Sequence, residues 1–170
     1  MLNLLRKSAA RKQIAHHLYD DLVIRARAPI FFRDFGVPDS LDGRFDLITL
    51  HAWLVLARLQ AAGLEQVAQD LTDTIFTGFD EALREQGAGD MSMGRKMKAM
   101  ANAFYGRLAA YEGAADEGAM ATALARNLWR SSEMNGRARA LASYVRNARQ
   151  ALELSPIEQG KLDFGGLPSL

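Results

Sequence analysis

Apolar residues recur at a helical interval along almost the whole chain, and strand-like alternation is nearly absent. That pattern predicts an all-α fold, a single globular domain of six or seven helices in an irregular bundle. The plainest case is 64–86, where Val67, Leu71, Ile75, Phe79 and Leu83 form one i, i+4 stripe. A first helix is expected from Asn3 to Ala28, stopped by Pro29. The irregular segment 30–43 carries turn signals at Gly36-Val37-Pro38 and Asp42-Gly43, and its Phe31, Phe32 and Phe35 are expected to fold back onto the core. Helices then follow over 44–62 and 64–86, from an N-cap at Ser92 to Glu112, from a cap at Asp116 to Trp129, and from Arg137 to Leu154. Residues 1–154 are read as the helical domain, and 155–170, after Pro156, as a flexible C-terminal tail.

The most apolar run, LITLHAWLVLARL at 47–59, falls short of the ~18 residues of a membrane span and contains His51 and Arg58. The first nineteen residues hold four bases and no acid. They fit the first helix of the fold, a helix lying on a membrane surface, or a presequence. The location expected is cytoplasmic, with peripheral contact at the inner membrane. The formal charge of +1 hides blocks of +4 over 1–38, −7 over 39–93, +6 over 94–150 and −2 over 151–170. Such alternation suits helices paired by charge, or a basic face turned toward phosphates or an acidic partner.

Little points to catalysis. With no cysteine, disulfides, thiolate metal sites and Cys nucleophiles are excluded. His16 with Asp20, and His17 with Asp21, have chelating spacing but supply too few ligands, so no metal site is expected. His51 lies among large apolar residues and reads as a core histidine. GAGDMSMG at 87–94 fails the GxGxxG pattern and follows a helix, and no P-loop, GxSxG or HExxH occurs. Asp70, Asp73, Asp80, Glu81 and Glu85 read as a wet helix face. No catalytic residue and no cofactor is therefore expected. A hydrolase built on the acidic helix and His51 is the least supported reading.

The segment GDMSMGRKMKAMANAFYGRLAAYE, 89–112, holds four of the seven methionines. Met93, Met97, Met100, Phe104, Leu108 and Tyr111 make one apolar stripe, with Arg95, Lys96 and Lys98 beside it. The stripe is either core or a soft binding surface, because methionine packs adaptably. Met91 and Met93 are expected to be its exposed pair. RNLWR at 126–130 brings Arg126, Trp129 and Arg130 together, and four more arginines lie in 137–149. With net charge near zero and no recognised motif, sequence-specific nucleic-acid binding is not expected.

HAWLVLARL, FDEALREQGAGDMSMGRKMKAMANAFYGRLAAYE and ALARNLWR, in that order, resemble the ubiquinol–cytochrome c chaperone family over about residues 15 to 131. The family's LH-x-W is matched by Leu50, His51 and Trp53, and its acid and arginine before the loop by Asp80 and Arg84. Gly106, Ala110, Tyr111 and Glu112 match its AYDEGL-like end, where AYEGAADEGA replaces the run. Its closing pattern is matched, in altered order, by residues 125–130. The resemblance implies a helical, non-enzymatic assembly factor that binds newly made cytochrome b during cytochrome bc1 (complex III) biogenesis. With no long presequence ahead of the matched region, a bacterial copy is expected. On the physical reading, Met91, Met93, Met97, Tyr105 and Trp129 contact the client, while Arg95, Lys96, Lys98, Arg126 and Arg130 face a ribosome, an anionic membrane surface or a partner. The alternative is a helical lipid- or small-ligand-binding domain with an apolar cavity under the methionine stripe.

Overall fold

Twelve consecutive residues, Phe45 to Leu56, are all buried, so the helix that carries them has no face turned to water. It is α3 (Leu41–Ala61), and α1 (Leu2–Ala26), α4 (Glu65–Glu85), α5 (Asp90–Glu112), α6 (Glu117–Trp129) and α7 (Gly136–Glu153) all pack against it. A five-residue helix, α2 (Pro29–Arg33), joins α1 to α3, and a 3-10 turn at Ile157–Gln159 follows α7. The computed structural model describes residues 2–133 and 135–170, and side-chain burial from Arg6 onward. Among the described residues there is no strand, and the fold is the expected all-α single unit.

Three polar side chains lie inside α3; two are hydrogen-bonded and the third, Asp46, is ion-paired. Thr49 Oγ1 donates to Phe45 O at 2.8 Å. His51 Nδ1 lies 2.7 Å from Leu47 O, and Nε2 lies 2.8 Å from the Tyr144 hydroxyl. A carbonyl can only accept, so Nδ1 carries the hydrogen and Nε2 accepts from Tyr144. Burial holds His51 neutral, with its pKa lowered to about 4. The expected core histidine is therefore a bolt between α3 and α7. Asp46 is taken up below with the groups that meet it.

The α4 stripe is buried as expected, at Val67, Leu71, Ile75, Phe79 and Leu83. Gly78 on the same helix lets α1 approach, since a Cβ there would run into the Tyr19 hydroxyl. Pro29 ends α1 and also opens α2 at its first turn, where a missing N–H costs nothing. That short helix swings Phe31 and Phe35 into the core, both fully buried, with Phe32 packed on its edge.

The segment after Pro156, read from sequence as a flexible tail, is instead packed onto the bundle. Ile157 and Phe164 are buried, and Phe164 meets His51 edge-on at 5.3 Å. Arg25 covers the Phe164 ring at 5.5 Å and donates to Gly165 O at 2.7 Å. The Asp163 amide donates to Ser155 Oγ at 2.9 Å, which fixes the return of the chain. Periodicity could not reveal this, because Arg25 and His51, which meet Phe164, stand more than a hundred positions away in sequence.

Candidate functional site: the open half of α5 and the cleft beside it

Helix α5 starts at Asp90 after Gly89, which has extended backbone and offers no side-chain cap. Ser92, expected as the cap, lies inside the first turn and donates to Gly89 O at 3.0 Å. Met93 is buried, 6% exposed, which corrects the expectation of an exposed Met91–Met93 pair. Met91 alone is wholly exposed. Met97 and Met100 are half-buried against the core. The stripe is thus core at Met93 and Phe104 and a partly open surface between them.

From Asp90 to Ala103 the one buried side chain is Met93. The rest of this half rests on the core only through the half-buried Met97, Met100 and Ala103. Arg95, Lys96 and Lys98 are exposed and form no ion pair among the described residues. The nearby Asp90 is engaged by Arg84, at 3.2 Å. Farther along, Tyr105 is 54% exposed, with its ring stacked on Phe76 at 6.1 Å.

The second half of α5 is fixed by a buried ionic cluster that sequence reading did not find. Asp46 of α3, 1% exposed, has Arg107 Nε of α5 at 2.8 Å from one oxygen and Arg130 Nη1 at 2.8 Å from the other. Burial pushes the Asp46 carboxyl up from its ordinary value, and the two guanidiniums pull it back. Tyr111 is buried in the same place, and desolvation together with the Asp46 charge raises its hydroxyl pKa well above the usual range. Arg107 also lies over the Phe45 ring at 5.1 Å. Arg130, directly after α6, takes a left-handed backbone, φ +54°, a strained choice for a residue with a side chain. The signal available in sequence was an acid at the edge of an apolar run, facing a surplus of arginines elsewhere.

Trp129 and Arg130 therefore serve the fold. The Trp129 indole donates to Phe35 O at 3.0 Å, and Arg130 closes on Asp46. Arg126 is exposed on α6. Of the residues singled out from sequence, Met91, Met97, Tyr105, Arg95, Lys96 and Lys98 share the exposed stretch of α5.

Beside Tyr105 a cleft of about 470 Å³ opens where α4 and α5 diverge over α3. Trp53 and Leu56 floor it, and Ala68, Leu108 and Ala109 form its walls. Glu112 accepts from Trp53 Nε1 at 3.0 Å at one end. No methionine lines the cleft, so it is not a cavity beneath the methionine stripe. Among the described residues no group of His, Asp or Glu is placed to hold a metal, and no helix is long and apolar enough to cross a membrane.

Residues 33–159 match the family described as Ubiquinol-cytochrome C chaperone. The ubiquinol-cytochrome c reductase complex assembly factor 1 of Drosophila melanogaster is 29% identical over 165 residues, 89% of this chain and 62% of its own length. The protein of that name from Xenopus laevis is 24% identical over 147 residues, covering 84% of this chain and 74% of its own. The chain thus spans less than two thirds of the fly relative. The crystal structure of the Cbp3 homolog from Brucella abortus is 35% identical and superposes with a TM-score of 0.85 over 98% of this chain and 97% of that one.

Proposed function

The chain belongs to the ubiquinol–cytochrome c chaperone family, and from that premise we propose that it is an assembly chaperone of the cytochrome bc1 complex that binds newly made cytochrome b, or a related apolar membrane-protein client, without catalysis. The observation that carries this reading is the open half of α5. Fourteen residues, 90–103, expose Met91, leave Met97 and Met100 half-covered and bury only Met93. Methionine can mould to different apolar side chains, which suits a surface that meets a client before it has folded. Arg95, Lys96 and Lys98, unpaired beside it, supply long-range attraction to the anionic surroundings of such a client, a ribosome or a membrane surface. The protein then works on the cytoplasmic side, peripheral to the inner membrane. Binding alone drives no cycle, so release follows when the client folds or a partner competes for it.

The test is co-purification of cytochrome b with the tagged chain from cells that assemble the complex. Replacing Met91 and Tyr105 by Glu puts charge on the exposed face, and client recovery should fall while the helical circular dichroism stays unchanged. Undiminished recovery contradicts the proposal.

A further inference from the structure

The cleft beside Tyr105 has a shape and a charge that specify what could lie in it. Three helices line it, each with one i, i+3, i+4, i+7 face, beginning at Trp53 on α3, Glu65 on α4 and Tyr105 on α5. Such a trough, with an apolar floor and a helix on either side, has the form of a bundle lacking one member. Small side chains at Ala57, Ala68 and Ala109 allow a backbone to come close.

The charge runs lengthwise. Glu65 opens α4 and Glu112 closes α5, so both lie at the same end of this pair of consecutive helices, and no Lys or Arg lines the cleft. Past Tyr105 at the other end, α5 continues to Lys98 and Arg95, about 10 and 15 Å farther along its axis. An occupant that follows α5 from Glu112 to Arg95 spans about 25 Å and meets acid first and base last.

We propose that this cleft receives a single helix of a partner polypeptide, apolar on its inner face, basic at the end that meets Glu65 and Glu112 and acidic at the end that reaches Arg95 and Lys98. The inference deepens the client reading of α5 and rests on it, because Tyr105 belongs to both surfaces. It places the client's contact in a formed groove and assigns Glu65 and Glu112, not only the bases, to recognition.

The experiment uses the full chain and a labelled 18-residue peptide with leucine and alanine on one face, glutamates in its first turn and lysines in its last. Fluorescence anisotropy should show saturable binding. Ala109→Phe, which fills the cleft at an exposed position, should abolish it. Glu65→Lys should weaken it about fivefold or more, the size of an exposed ion pair lost. No binding to the wild-type chain, or equal binding to Ala109→Phe, overturns the proposal, as does a lipid that co-purifies with the wild type in native mass spectrometry and is lost from Ala109→Phe. Cytochrome b that still co-purifies with Ala109→Phe overturns the cleft and leaves the client reading standing. Peptide binding without cytochrome b recovery by the wild type removes the client reading on which the assignment rests.

Discussion

Replacing His51 by Gln should flatten the acid limb of the protein's stability. The imidazole is fully buried, enclosed by Phe31 at 5.4 Å and Phe164 at 5.3 Å, and accepts its one side-chain hydrogen bond from Tyr144. Protonation would place a desolvated charge among aromatic rings and near the Arg25 guanidinium. The pKa accordingly falls from 6.5 to about 4. Between those values the unfolded chain binds more protons than the folded one, so stability falls as the pH falls. The full linkage is about 3 kcal/mol, complete below pH ~4, and about 2 kcal/mol of it is already lost on going from pH 7.5 to pH 5. The glutamine amide of His51→Gln can still donate to Leu47 O and accept from Tyr144, but it does not titrate. Urea unfolding of both proteins at pH 7.5, 6 and 5 measures the difference. The variant should start somewhat less stable and lose about 2 kcal/mol less over that range. Parallel pH dependences, with the two proteins separated by a constant amount, would refute the neutral buried histidine and the proton assignment built on it.

Other outcomes follow from particular contacts. Asp46→Leu should cost about 3–5 kcal/mol in urea unfolding, because it strands the mostly buried Arg107, 16% exposed, without a counter-charge. Gly106→Ala should raise stability by up to ~1 kcal/mol, since the added methyl meets nothing and alanine favours the helix; a lower melting temperature would show a contact not accounted for. Gly43→Ala should do the reverse, by about 1–3 kcal/mol, because its Cβ would run into the Pro38 carbonyl. Changing Arg95, Lys96 and Lys98 together to Gln should leave the melting temperature in place and reduce sedimentation with ribosomes or anionic vesicles. Unchanged sedimentation with both would remove the electrostatic role.

Much of the fold was legible because helical period is a local property. The α4 stripe lies where its spacing put it, and Asp116 caps α6 by accepting from Ala119 N at 2.8 Å. The misses have a common cause in contacts distant along the chain. Met93 is the local exception, since α5 begins two residues before Ser92 and Met93 is buried inside its first turns. Trp129 and Arg130 looked like surface recognition residues until Phe35 and Asp46 came into place. The packed segment after Pro156 depends on Arg25 and His51. Of the site, the three exposed cations and Met91 were readable from composition and spacing. The cleft was not, because its walls exist only once α4 and α5 diverge over α3.

The most direct measurement is a photocrosslink in living cells, with a photoreactive residue at Met91 or Met97 and a buried control at Phe79. A strong adduct with cytochrome b is expected from the α5 positions and none from Phe79. Adducts only within the chain itself, or with lipid, would contradict the claim that α5 holds the client.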